Sequence, residues 1–428
     1  MIDVAIVGGG PVGLYLGCLL LQDGVSVRVL EQRHQRSRHS RAIGIHPPAL
    51  EALDLVACAD PLVRQGIAIH RGLAISGGRR LASMDFSVLD SKYPFVLSSP
   101  QALTEAVLEN RLLTLDGGAL SRGARVTGCA DHGSRVEVAF TVTDADGGRD
   151  VQEQPREQRQ EVRLEARWCV VANGARTALF PGSSPQGGTS KQGRTSPQGR
   201  TSPQGGTSPQ GGTSQQGSGP ARRRSRTYRD AYVMGDFADA TGFGSTAVLF
   251  LERDGIVESF PLPGGVRRWV ARVDQHQPER TPDWLAGVVG FRTGMAPDPE
   301  SCTMLSSFSV RSGILPRLAV GRMVAIGDTA HEVSPIGGQG MNLGWLDAVE
   351  LAPLLLRALH GSPVEAAMER FDRLRRRAAR RAAFQSEINM MLGRPAPAPM
   401  LTVRNRLLGT LAGIPAVNAF AARRFTMQ

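Results

Sequence analysis

"DVAIVGGGPVGLYLGCLLLQDGVSVRVLE", residues 3–31, decides the fold. An apolar run leads into three glycines and a proline, an apolar helical stretch follows, and a second apolar run ends in an acid. Gly8, Gly10 and Gly13 supply the G-x-G-x-x-G spacing between a strand and a helix. Glycine at those places allows a tight turn and a close approach of backbone to a pyrophosphate, which the N–H groups of the helix start can hold. Pro11 suits the first helical position and Val12 follows it. Gly17 permits close helix packing, and Gly24 ends the helix. Glu31 stands 18 residues after Gly13 (31 − 13), an offset suited to accepting ribose hydroxyls and disfavouring a 2′-phosphate. Gly8, Gly10, Pro11, Val12, Gly13 and Glu31 are therefore expected to bind a dinucleotide.

A second stretch, "GDTAHEVSPIGGQGMNLG" (residues 327–344), follows the buried-strand pattern "MVAIGD" and precedes a helical one. It carries five glycines, more than a connector needs, so something must approach its backbone. Asp328 at the strand end is placed to bind a ribityl chain. The helix start at Gly340, Met341 and Asn342, with Gly338 before it, offers positive partial charge and free N–H donors. Those suit the pyrimidine edge of a flavin, which becomes anionic on reduction. Where the first fingerprint fits NAD or FAD alike, this stretch favours FAD.

Composition excludes several classes. No run of eighteen apolar residues is present, so no spanning helix and no stable membrane insertion are expected. The start of the sequence reads directly as a strand rather than a signal peptide. Five scattered cysteines without metal spacing suggest reduced thiols and a cytoplasmic protein. The net charge of +11 comes almost wholly from arginine and has no nucleic-acid motif beside it, so no nucleic acid is expected as partner. The arginine-rich segment "ERFDRLRRRAARRAAF" reads as a solvated helix face, opened by Ser362-Pro363-Val364-Glu365 in a capping-box pattern.

Along the chain, residues 1–75 read as the first part of a Rossmann-like α/β domain, and 76–98 as a hairpin of a strand-rich substrate domain with Gly77-Gly78 at its turn. Residues 99–182 return to the first domain. A six-residue repeat fills 183–219 ("SSPQGGTSKQGR…"), with no apolar side chain to bury, and is expected to be a disordered insertion. Residues 220–317 read as substrate-domain strands, 318–360 as the third part of the first domain, and 361–428 as C-terminal helices. The expected fold is α/β, with the cofactor domain interleaved with the strand-rich one.

With these motifs in place, the sequence resembles the FAD-dependent class A aromatic monooxygenases, related to p-hydroxybenzoate hydroxylase and the ubiquinone-biosynthesis hydroxylases. The resemblance spans most of the chain apart from the repeat. It implies Gly8 to Gly13 and Glu31 on the ADP half of FAD, Asp328 on the ribityl–pyrophosphate part, and Pro335 to Asn342 beside the flavin ring. Arg41 in "HSRAIGIHPPALEAL" and Gln101 in "LSSPQALTEAVLENRL" match cofactor-contacting positions of the family. The middle motif, "CVVANGARTALF" from Cys169 to Phe180, departs from the family: Asn173 replaces an acid, Thr177 a serine and Phe180 an arginine. That departure bears on the reduction step.

The implied activity is hydroxylation of an aromatic or related small molecule with O₂, with NAD(P)H as a transient reductant, since no second fingerprint is visible. Related epoxidation or reduction, or weakly catalytic flavin binding, are the alternatives. Pro335 is expected beside the oxygen-transfer pocket. His331 is read either as a structural part of the flavin site or as a general base. Phe260, Pro261 and Trp269 are candidates for the substrate pocket or for domain core. A monomer or homodimer is expected.

Overall fold

A computed structural model describes residues 1–36, 42–143, 161–175, 178–182, 223–274 and 280–428. Arg41, the repeat of residues 183–219, and Arg176 and Thr177 of the middle motif lie outside the described residues. Among those described, two eight-stranded sheets and one three-stranded sheet carry a mixed α/β fold with a helical C-terminus.

The first sheet is built on Ile2–Val7. This strand pairs in parallel with Val27–Glu31 on one side and Glu161–Val171 on the other. Leu120–Arg122 and Met323–Ala325 extend the parallel order at the two ends. Such strands are covered on both faces, which is why they read as nearly unbroken apolar runs. The helix Pro11–Gln22 starts at its proline and ends where Gly24 turns the chain with φ 75°. Gly17 makes room for Leu112 of the helix Gln101–Leu115 as well as for the strand residues Val29 and Ile6.

The second sheet runs in the order His331–Glu332, Met304–Ile314, Arg224–Ala238, Val266–Val273, Val257–Leu262, Ala247–Phe250, Arg71–Ser76 and Arg79–Asp85. Gly77 and Gly78, both with positive φ (54° and 71°), close the last hairpin, whose first strand starts at Arg71. One face packs on the helix Pro282–Thr293, an element that the strand-rich expectation for this region did not name. Its start was readable: the Thr281 hydroxyl accepts the Trp284 N–H (3.2 Å), Pro282 opens the helix and Gly294 in the left-handed region ends it.

The chain leaves the first sheet at Ala325 and joins the second at His331, which pairs with Ile314. Gly327 and Asp328 therefore sit where the two sheets meet. The helix Gln339–Leu359 follows, then Glu365–Leu392, Ala398–Ala412 and Pro415–Phe425. The expected capping box at Ser362 is not formed. Ser362 N–H bonds back to the Arg357 carbonyl (3.0 Å), completing the preceding helix end, so the next helix begins only at Glu365 without a side-chain cap. No described helix is long and apolar enough to cross a membrane.

Candidate cofactor and substrate site

A cavity of about 980 Å³ lies between the two sheets and the C-terminal helices. Its wall begins at Gly8, Gly10, Pro11, Val12 and Glu31, passes Gln101, Asn173 and Asp328, continues along Pro335 to Met341, and reaches Phe260, Glu258 and Arg268. Leu408, Leu411 and Phe425 of the last helices close another side.

The first end is shaped by glycine. A side-chain carbon at Gly8, whose φ is 111°, would meet the Ala172 carbonyl oxygen at 2.6 Å, and one at Gly9 would meet Glu31 Cβ at 2.8 Å. At Gly10 it would meet only open space. Gly10 thus presents bare backbone to the cavity at the head of a helix with no side-chain cap and no acid in its first turn. Gly13 does a different job from contact: a side chain there would run into the Gly8 carbonyl oxygen, so this glycine lets the helix close onto the turn.

Glu31 is 4 % exposed and well bonded. Its Oε2 accepts the Gly9 N–H (2.8 Å), and its Oε1 accepts the Arg33 N–H (2.9 Å) and the Arg33 Nε–H (2.8 Å). Burial raises its pKa, but the bonds and charge of Arg33 and the Gly9 N–H outweigh burial and hold the carboxyl below its ordinary value. Beside it, Gln101 Nε2–H donates to Glu105 Oε1 (2.9 Å). Burial pushes Glu105 up; Gln101 and Arg33 work against this and Glu31 adds to it.

The middle of the cavity is the 327–342 segment. Asp328 lies deep in the molecule, yet its side chain is accessible because it opens on the cavity. Burial by the surrounding walls raises its pKa, His331 and Arg223 oppose the rise, and Glu332 adds to it. Gly338, with φ 67°, stands before the first turn of Gln339–Leu359, which again has no side-chain cap and no acid. Two helix starts therefore face one cavity with free donors. In the middle motif, the Thr329 hydroxyl accepts the Gly174 N–H (3.1 Å) and lies 3.4 Å from Asn173 Oδ1.

Two residues of this segment point elsewhere. His331 is 0 % exposed and does not line the cavity. Its Nε2 lies 2.6 Å from Asp347 Oδ2, which also accepts the Gly327 N–H (3.0 Å), while Arg375 Nε–H donates to Asp347 Oδ1 (2.6 Å). Burial lowers the imidazole pKa, but the Asp347 charge and hydrogen bond outweigh burial and raise it, which favours the protonated ring. A buried imidazole paired with Asp347 and away from the cavity wall agrees with the structural one of the two readings of His331 rather than with a general base. Asn342 is likewise fully buried: its Oδ1 accepts the His46 N–H (2.9 Å) and its Nδ2–H donates to the Gly44 and Gly338 carbonyls (3.0 and 2.6 Å). It ties the helix start to the neighbouring loop.

Strand parity sorts the substrate-side candidates. Side chains alternate between faces, so Phe260 and Pro261 cannot share one. In register, Phe260 opposes Arg268 and Pro261 opposes Arg267. Phe260 and Arg268 line the cavity. Trp269 and Pro261 do not: Trp269 is 1 % exposed, sits in the core against the helix Pro282–Thr293 and stacks on Phe250 at 6.0 Å, while Pro261 uses its carbonyl to accept the Ser98 hydroxyl (2.6 Å). Glu258, absent from the sequence-based candidates, belongs to the cavity face. Its signal was a lone acid in the apolar strand "GIVESFPL", two residues before Phe260 and so on the same face.

Residues 1–182 and 247–386 match the family model described as "FAD binding domain". The chain belongs to this family, and FAD is its cofactor. The structure fits that group through the bare backbone at Gly10, two uncapped helix starts facing one cavity, and an acid beside each. Among curated relatives, 6-methylpretetramide 4-monooxygenase of Streptomyces rimosus is 29 % identical over 86 % of this chain and 58 % of its own length. Anhydrotetracycline monooxygenase of the same species is 27 % identical over 87 % of this chain and 66 % of its own length. The chain thus spans about three fifths to two thirds of the length of these relatives. In fold it is similar to p-nitrophenol 4-monooxygenase of Pseudomonas putida DLL-E4, with a TM-score of 0.78 at 20 % identity, covering 100 % of this chain and 98 % of that one.

Proposed function

We propose that the protein is an FAD-dependent monooxygenase that uses NAD(P)H and O₂ to hydroxylate an aromatic or related small molecule. The observation that carries the reading is the continuity of the cavity, from the glycine cradle at Gly10 to an apolar wall at Phe260 and Phe308. A relay of electrons and oxygen needs cofactor and substrate in one enclosed space. The relatives named above support it, since both carry monooxygenase names.

In this reading the helix start at Gly10, Pro11 and Val12 together with Glu31 hold the ADP half of FAD, and Gly13 lets that helix close onto the turn. Gln101 stands beside that half and Arg41 is a further contact. Asp328 holds the ribityl part, and the backbone of Gly338, Gly340 and Met341 meets the ring. Bound FAD supplies acceptance of electrons from the nicotinamide and activation of O₂. The chain's own residues position and shelter: Pro335 borders the ring side of the pocket, while Leu408, Leu411 and Phe425 keep water from it. The first sheet with its helices forms the cofactor domain and the second sheet the substrate domain, in a cytoplasmic monomer or homodimer that binds no nucleic acid.

Anaerobic mixing of the yellow holoenzyme with NADH or NADPH should bleach the flavin, and ¹⁸O from O₂ should appear in an aromatic product. A flavin that neither nicotinamide reduces overturns the monooxygenase reading. Asp328→Ala should weaken FAD binding about tenfold, the loss of one charge-assisted hydrogen bond. Unchanged FAD affinity would remove Asp328 from the site.

A further inference from the structure

Glu258 stands in the middle strand of the cavity-facing sheet, between Leu249 on one neighbouring strand and Val270 on the other. The next residue in the same row is Met234, and all four line the cavity. The residue is 7 % exposed. Among the described residues its carboxyl has no hydrogen bond and no ion pair, although buried polar groups ordinarily have partners. The acid is not compensated by the cations nearby. Arg268, in the adjacent row, is held by both oxygens of Asp236 (2.6 and 2.8 Å), and Arg272 and Arg394 are bonded to Asp230. Tyr232, whose hydroxyl is also buried without a partner, is close enough to sense its charge. Ile336 of the glycine-rich loop joins Met234, Val270 and Phe260 in one apolar cluster, so Glu258 shares a chamber with the loop that meets the cofactor.

We propose that Glu258 is the specificity-determining group of the substrate chamber, accepting a hydrogen bond from a hydroxyl on the substrate and excluding substrates that carry a carboxylate there. The inference rests on the aromatic-substrate reading above and adds a residue and a polarity rule to it. An unpartnered acceptor in an apolar wall gains most from a donor that arrives with the ligand, because neither group is then left unpaired. When Glu258 is ionised, a carboxylate at the same point brings like charge into a low-dielectric site and offers it no donor. Arg268, in the adjacent row, already spends its Nε–H and an Nη2–H on Asp236. Burial pushes the Glu258 carboxyl up to about 7, the shift expected of an acid with no partner.

The test uses holoenzyme and two probes that differ in one group, 2-naphthol and 2-naphthoate, with binding followed by calorimetry at pH 8. There Glu258 is ionised, while a phenol, with a pKa of about 10, keeps its proton. Naphthol should bind at least about tenfold more tightly than naphthoate, the effect of one hydrogen bond to a charged group. Glu258→Gln should weaken naphthol and strengthen naphthoate, bringing the two within about threefold. Glu258→Asp should keep the order of preference. A merely structural role would weaken both probes alike. Equal or reversed preference in the wild type, failure to bind naphthol at about 1 mM, or an unchanged gap in Glu258→Gln overturns the proposal. Reduction of the same holoenzyme by NADH or NADPH is scored separately. Its failure would overturn the monooxygenase reading and leave the probe preference to judge Glu258.

Discussion

Two of the glutamates that border the cavity, Glu31 and Glu258, are treated in opposite ways. Glu31, at the end of a parallel strand, accepts three protein hydrogen bonds, and its carboxyl is held below the ordinary value against the effect of burial. Glu258, in the middle of an antiparallel strand, has apolar neighbours on both sides and is pushed up to about 7 by burial. The cofactor end is organised before its ligand arrives. There Glu31 is bonded and the loop is tied down by Asp347 and Asn342. The substrate end leaves the Glu258 carboxyl and the Tyr232 hydroxyl without partners among the described residues. A permanent cofactor rewards a preformed site, whereas a ligand chosen from many is selected by the partner it brings.

Substitution should separate the two ends by sign as well as size. The largest effect is expected at Asp347, which links the Gly327 N–H, His331 and Arg375 at 0 % exposure. Asp347→Ala removes the partner of buried His331 and part-buried Arg375 and leaves the buried Gly327 N–H unpaired, and should cost about 3–5 kcal/mol in urea unfolding. A cost below about 1 kcal/mol would show that the loop does not depend on the network.

Glu31→Gln comes next. It exchanges a charged acceptor of Arg33 and Gly9 for a neutral amide and should lower stability by about 2 kcal/mol. FAD affinity should fall with it. A stability gain from this change would break the comparison outright.

Glu258→Met should act in the opposite direction and be the smallest of the three. Folded Glu258 keeps its proton up to about 7, whereas an ordinary glutamate loses it near 4.5. Between those values the folded state binds more protons than the unfolded one, so this residue makes stability fall as pH rises through that window. Replacing it by an apolar side chain should therefore raise stability by about 1–2 kcal/mol at pH 8 and by little at pH 5. Thermal unfolding at the two pH values reads the difference; a loss at pH 8 would mean that Glu258 has a partner in the folded state.

The legible part of the molecule was local. Gly8, Gly10, Pro11, Val12 and Glu31 lie within one strand–helix–strand unit, where spacing alone settles the turn and brings the acid beside the helix start. The Gly327–Gly344 stretch announced a close backbone approach for the same reason: surplus glycine is a local signal. Parity was available too, and applied to "GIVESFPL" it separates Phe260 from Pro261 and puts Glu258 with Phe260. What tertiary structure alone decided is pairing between distant segments. Nothing near His331 in the sequence says that Asp347 and Arg375 will enclose it, or that Asn342 will spend its amide on Gly44 and Gly338. Nor does the sequence say which face of the second sheet the helix Pro282–Thr293 covers, the choice that buries Trp269 and leaves Glu258 to the cavity. Backbone geometry follows from neighbours in the chain, but the state of a polar side chain depends on what the fold packs against it.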